Sequence, residues 1–343
     1  MGAVENVWYG RGVSARTARG ALWPLSLAYA AATRVRNQLY GSGVLHAERP
    51  VLPTVSIGNL TVGGTGKTPF AAWLAFGLSQ TSVPAIALRG YGNDEAEVHR
   101  RLNPHIPVVV NADRGAAIRE AKARDADVVV LDDAFQHRRI GRTVDILLLS
   151  AEQLLRPRRL LPAGPWREPL SSARRADLLV VTRKSASLMD AVRAAEIARL
   201  AAPSVPLAAI HLAPRALVSA SDGTTLPLER LRDAAVLAVA AIGEPAAFAT
   251  QLEQLGARVS LAAFRDHHAY TDDEIRTIAA RVPADGFALC TLKDAVKLAA
   301  RWPGPGRLWY VSQQLVVERG AEEIDRLLRR VLEARATTTI TAG

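Results

Sequence analysis

A glycine-rich stretch, SIGNLTVGGTGKTPFAAWL at 56–74, carries the residues best suited to chemistry. Gly63, Gly64 and Gly66 can take backbone angles that aim N–H groups at phosphate oxygens, and the N-terminus of a following helix favours the same negative charge. Lys67 has the reach for β- and γ-phosphates, and the Thr68 hydroxyl suits Mg²⁺. With Thr61, Val62 and Thr65, these residues match the G-x-x-x-x-G-K-[ST] phosphate loop except at the first position, where Thr61 replaces glycine. The pattern predicts a strand ending at Asn59 and a helix starting at Lys67, the setting such a loop requires. The plainer reading is a glycine-rich turn that happens to contain Lys-Thr.

DVVVLDD (127–133) reads as a buried strand delivering Asp132 and Asp133 to the sheet edge where a nucleotide-bound Mg²⁺ would lie. Paired aspartates can also simply cap a turn. Further polar clusters fall in expected loops: RGYGNDE (89–95), QHRR (136–139), LPAGPWREP (161–169) and DHH (266–268). Taken singly, each reads as structural, and no metal-ligand spacing or nucleophile elbow accompanies the histidines.

The elements needed to position these residues are legible. TVSIGN (54–59), VPAIAL (83–88), PVVV (107–110), VDILLLS (144–150) and ADLLVVT (176–182) are short apolar runs separated by helical patterns, for example at 67–79 and 113–124. Continuous apolar strands alternating with helices predict a parallel sheet covered on both faces, a P-loop NTPase-like α/β fold. A second α/β series follows, with strands at 235–241, 286–290 and 307–311 and helices at 245–256, 271–282 and 320–335. Four prolines between 202 and 227 mark the expected junction. The predicted organisation is an N-terminal helix region over 1–36, a nucleotide-binding domain over 37–205 and a smaller α/β domain over 206–343.

The 343 residues are 49% hydrophobic and 22% charged, which permits packed cores and excludes a disordered chain. The single cysteine, Cys290, excludes an intramolecular disulfide and a cysteine-rich zinc site. The net charge of +10 rests mainly on arginine, and a composition bias explains part of it. Basic clusters in 1–49 and 156–175 suit a phosphorylated ligand or an acidic lipid surface, or are solvated faces. Nucleic acid is not expected as a partner. ALWPLSLAYAAAT (21–33) has 13 residues between Arg19 and Arg34, too short to span a bilayer. It suits a helix lying in the membrane interface, with a signal peptide and an ordinary core helix as rivals.

Together these clusters resemble the tetraacyldisaccharide 4'-kinases, the lipid A 4'-kinases of bacteria with an outer membrane. The resemblance runs through PLSLAYA and RNQLY (24–40), VSIGNLTVGGTGKTP (55–69), LRGYG (88–92), NDE (93–95), DDAFQHRR (132–139), LPAGPWREPL (161–170), AIGEPAAF (241–248), FRDHHAYT (264–271) and TLKDAVKL (291–298). That family also has a non-glycine first loop position. The chain departs from it at Asn93, at Ala134, at Trp166 and at Leu292, where the family commonly shows glycine, glycine, leucine and glutamate followed by Lys-Asp.

The resemblance implies a kinase that uses ATP and Mg²⁺ to phosphorylate the 4'-hydroxyl of a tetraacyl glucosamine disaccharide 1-phosphate, forming lipid IVA in lipid A biosynthesis. ATP would bind at Thr61–Thr68, with Thr68, Asp132 and Asp133 toward the metal. Asp94 would be the general base, paired with His267, and Lys67 would act on the transferred group. Arg89, Tyr91, Gln136, His137, Arg167 and Glu168 would serve the substrate side. A monomer at the cytoplasmic face of the inner membrane is expected, held by its N-terminal helix. With Asp94 assigned to the first domain and His267 to the second, their pairing would require domain closure. Rivals are another phosphate-loop ligase or kinase, and an ATPase switch.

Overall fold

The computed structural model describes residues 3–90, 94–243, 245–303 and 308–340. Two helices come first, α1 (Ala3–Tyr9) and α2 (Val13–Gly41). They are followed by β1 (Thr54–Asn59), α3 (Lys67–Leu78), β2 (Pro84–Leu88), α4 (Asp94–Leu102), β3 (Val108–Val110), α5 (Arg114–Ala123), β4 (Val128–Leu131), β5 (Val144–Ser150), α6 (Ala151–Leu154), β6 (Leu178–Arg183) and α7 (Leu188–Ala201). The remainder is β7 (Leu207–Ser219), β8 (Thr225–Leu226), β9 (Ala235–Ala240), α8 (Pro245–Gln254), β10 (Arg258–Ala263), α9 (Asp272–Ala279), β11 (Phe287–Cys290), α10 (Leu292–Leu298), β12 (Leu308–Arg319) and α11 (Ala321–Ile340).

These elements form two compact units. The first comprises the described residues of Met1–Arg89, Asn103–Ile210 and Val317–Gly343, and the second those of Gly90–Leu102 and His211–Val316. In the first, the strands run β3-β2-β4-β1-β5-β6, every pair parallel. All six residues of β1 and all seven of β5 are buried, as central strands covered on both faces must be. Ala85, Ala87, Val129 and Leu131 pack with Ile118 and Ala121 of α5, while the alternate residues Ile86, Val128 and Val130 are equally buried. That alternation places helices on both faces of an α/β sheet. In the second unit, β10-β9-β11-β12 run parallel around a core of Leu237, Val239, Ile275, Cys290 and Leu298.

The division differs from the expected boundaries. Helix α4, reached through the RGYGNDE stretch, packs on α10 in the second unit, and the C-terminal helix α11 returns to the first against β6. Arg330 of α11 reaches Asp177 (2.6 Å) and Arg335 reaches Asp127 (3.1 Å). Position along the chain does not say which sheet a helix packs on; only its buried face does.

The N-terminal helix is also longer than the apolar run. It spans 29 residues and continues through Pro24, because the Gly20 carbonyl that loses its partner there is at an exposed position. Trp23, Leu25, Leu27 and Val35 are exposed on it. Ser26 and Asn37 fasten it to the first unit, Ser26 donating to the Leu160 carbonyl (3.1 Å) and Asn37 to Glu168 (2.8 Å). Among the described residues no helix is long and apolar enough to cross a membrane.

Candidate functional site

The glycine-rich stretch leaves β1 at Asn59 and enters α3 at Lys67. Gly66 (φ 89°) is the residue before the helix and Gly63 has φ 114°, both in the region that a side chain strains. Thr61 has no such conformation. It pairs in extended form with Trp166, while the Val62 amide donates to the Pro165 carbonyl (2.8 Å). The first loop position therefore needs no glycine here, and the departure from the general pattern is structural in origin.

The loop's carbonyls are held from outside. Thr182, at the end of β6, donates its hydroxyl to the Thr65 carbonyl (2.8 Å), and Lys184 Nζ donates to that of Gly64 (2.6 Å). Asn59 donates to the Thr65 hydroxyl (2.9 Å). Glu152 in turn accepts the backbone amides of Lys184, Ser185 and Ala186. The Val62 amide is taken by Pro165 and the Thr65 amide by the Gly63 carbonyl (3.1 Å), which leaves the glycine amides of the loop to face an anion. Thr182 and Lys184 were not singled out from the sequence for this role. The available signal was their place at the C-terminal end of a buried strand, where such loops find their neighbours.

Lys67 and the acidic pair meet as expected, but with divided roles. Asp133, in the left-handed conformation (φ 51°), lies 3.5 Å from Lys67 Nζ, and Arg167 Nη1 donates to both its oxygens at 3.1 Å. Burial would raise its pKa, but Lys67 and Arg167 outweigh burial and hold it at about 2. Asp133 is thus the counter-ion of two cations. Asp132 is buried at the end of β4, with Arg114 on its carbonyl (2.7 Å). Of the expected metal residues, Thr68 and Asp132 supply oxygens suited to Mg²⁺, whereas Asp133 is engaged with cations. Among the described residues no cluster of three or more His, Cys, Asp or Glu is placed to hold a metal.

The other expected residues fall into three groups. Arg167 bonds Asp133, and Gln136 donates to the Asn59 carbonyl (2.7 Å), so both brace the loop. Glu168 is fully buried between Arg175 (2.7 Å), Asn37 (2.8 Å) and Arg36 (3.5 Å), and it organises cations rather than facing a ligand. His137 is half-buried, and burial followed by the charges of Arg114 and Arg89 pushes its pKa down, which favours the neutral imidazole. Arg89 is exposed just beyond β2. Tyr91 and Asn93 lie outside the described residues.

In the second unit, Asp94 opens α4 with its side chain 4% exposed. His267 Nδ1 lies 2.9 Å from Asp94 Oδ2. His267 has φ 59°, a conformation uncommon for a residue with a side chain and typical of sites where geometry is over-determined. Both partners belong to the same unit, so their pairing does not itself demand the domain closure expected from the sequence. A second cation is present: Lys297 Nζ sits 3.1 Å from Asp94 Oδ2, and Lys293 pairs with Glu95 at 3.2 Å. Burial would raise the Asp94 pKa, but the bond to His267 and the charge of Lys297 hold it well below the usual carboxylate range. The same bond raises His267, against desolvation and the charge of Lys293. An ionised carboxylate can only accept, so Nδ1 carries the proton and the neutral ring keeps its lone pair on Nε2.

Comparisons with known proteins give the family. A family model described as tetraacyldisaccharide-1-P 4'-kinase matches residues 18–333. A tetraacyldisaccharide 4'-kinase of Anaeromyxobacter sp. (strain K) is 37% identical, covering 91% of each chain. That of Anaeromyxobacter sp. (strain Fw109-5) is 34% identical, covering 100% of both. Among solved structures, LpxK from Aquifex aeolicus in complex with ATP is 29% identical, with a TM-score of 0.71 over 91% of this chain and 99% of that one. The chain belongs to the tetraacyldisaccharide-1-P 4'-kinase family.

Proposed function

We propose that this chain, as a kinase of that family, transfers the γ-phosphoryl group of ATP to the 4'-hydroxyl of a tetraacyl glucosamine disaccharide 1-phosphate, forming lipid IVA. The observation that carries this reading is the Thr61–Thr68 loop with Lys67 at its helix start, in a chain that matches the family over 18–333. The acceptor oxygen bonds to the γ-phosphorus as the bond to the β,γ-bridging oxygen breaks, and ADP leaves. The hydroxyl proton passes to the Asp94–His267 pair, which titrates as one unit. The loop amides and Lys67 bind the phosphates, and Arg167 fixes Asp133 beside Lys67. Mg²⁺, held by Thr68 and Asp132, would neutralise charge on the phosphate oxygens.

Transfer of ³²P from γ-labelled ATP to a tetraacyl disaccharide 1-phosphate in detergent micelles tests the reading. A labelled lipid product is expected. ATP binding without any such product would move the assignment to a ligase or an ATPase switch.

The same reading places the protein on a membrane surface, at the cytoplasmic face where ATP is supplied. Exposed Trp23, Leu25 and Leu27 on a helix flanked by arginines support an interfacial position. Replacing the three with serine is expected to move the protein from the membrane fraction to the supernatant in vesicle sedimentation, with ATP affinity retained. Unchanged sedimentation would remove α2 as the anchor. A deletion of 1–36 is less clean, because it also removes the Ser26 and Arg36 contacts.

A further inference from the structure

Two lysines of the TLKDAVKL stretch have no part in the mechanism above. Lys293 and Lys297 are four residues apart on α10, the separation that brings side chains to one helix face, and α10 packs on α4. Lys293 takes Glu95. Lys297 takes Asp94 Oδ2 at 3.1 Å and also reaches the His268 carbonyl at 3.4 Å. Its side chain is 17% exposed, so its charge is little screened.

We propose that Lys297 is a positioning residue for phosphoryl transfer: its ammonium, seated on the same Asp94 oxygen as His267 Nδ1, keeps that carboxylate ionised and weakens its hold on the imidazole proton, leaving His267 Nε2 ready to accept the acceptor's proton near neutral pH. The geometry is one carboxylate oxygen shared by the His267 Nδ1–H group, from the loop before α9, and the Lys297 ammonium, from α10. With the Lys297 ammonium and the His267 Nδ1–H both on its carboxylate, Asp94 is a poor proton acceptor by itself. The proton taken up must therefore reside on the ring, and the ring's affinity depends on how much of the Asp94 charge Lys297 offsets. The charged and titratable groups around His267 are Asp94 and Glu95 from α4, Lys293 and Lys297 from α10, and Asp266 and His268 from its own loop. Glu274 of α9 faces His268 at 3.1 Å. Of these, Lys297 alone among the lysines touches Asp94.

The inference rests on the proposed kinase activity, but its test has a reading independent of it. Histidine-labelled full-length protein is titrated by NMR, with His267→Gln identifying the resonance. The pH dependence of kcat/KM is measured in parallel. The sign is fixed by the charge: removing a cation beside Asp94 makes His267 easier to protonate. In Lys297→Met, the His267 midpoint and the acidic limb of kcat/KM should both move up by about one pH unit, with activity regained at higher pH. Lys297→Arg should restore both midpoints and serves where the methionine variant is poorly folded. A His267 midpoint unchanged in Lys297→Met, or activity lost equally at every pH, would overturn the proposal. A shifted midpoint in a protein that yields no labelled lipid would instead retain the coupling and remove the kinase reading.

Discussion

Asp94→Ala lowers phosphoryl transfer to the disaccharide lipid by roughly 10²–10⁴-fold at neutral pH, the range that general-base catalysis supplies. The expectation rests on the 2.9 Å contact with His267 Nδ1. Without the carboxylate, the ring loses the acceptor that fixes its tautomer, and its charged form loses the anion that stabilises it. Because Asp94 helps hold the pair rather than the nucleotide, the loss should fall on kcat while the dissociation constant for ATP stays within a few-fold. Asp94→Asn keeps the shape and an acceptor oxygen but not the charge, so it should lie between alanine and wild type. Rapid-quench measurement of ³²P-lipid formation separates these cases. Asp94→Ala activity within about tenfold of wild type would reassign the base, since general-base catalysis contributes at least about 10²-fold.

Lys67→Ala is the second large effect. An ammonium aimed at charge that develops during transfer contributes roughly 10²–10³-fold in a preorganised site, and Lys67 also helps to bind ATP, so kcat falls and the ATP dissociation constant rises together. The structure adds a second consequence. Asp133 is held at about 2 by the charge of Lys67 and by the charge and hydrogen bonds of Arg167. Losing Lys67 leaves that carboxylate with Arg167 and the weaker field of Arg114, and its pKa rises. Equilibrium binding of a fluorescent ATP analogue and single-turnover transfer check both parts. Wild-type transfer rates in Lys67→Ala would contradict the phosphate-loop assignment, whereas weakened binding with an intact rate would restrict Lys67 to ground-state binding.

Much of this was legible in the residues before any coordinates. Strands β1, β2, β4 and β5 are continuous apolar runs because both faces of a parallel sheet are covered, and composition alone reports that. The loop was legible because glycines and Lys-Thr at fixed spacing have few other uses. Asp94 and His267 were not visible as a pair by spacing; they are 173 residues apart, and only the resemblance joined them. The sequence also misled where a rule depends on context. The 13-residue Arg-flanked apolar run argued for a short helix, yet α2 spans Val13–Gly41.

What the sequence by itself determined is the local chemistry: an α/β chain with a phosphate loop, an acidic pair at a strand end and a basic, amphipathic N-terminus. What only the tertiary structure decided is the partnership of charges. It gave Asp133 to Lys67 and Arg167, enclosed Glu168 among arginines, put α4 in the unit of His267, and set Lys297 on Asp94. The physical reason is that backbone propensity and hydrophobic period act over a few residues. An ion pair depends instead on which buried faces bring distant segments within about 4 Å of each other.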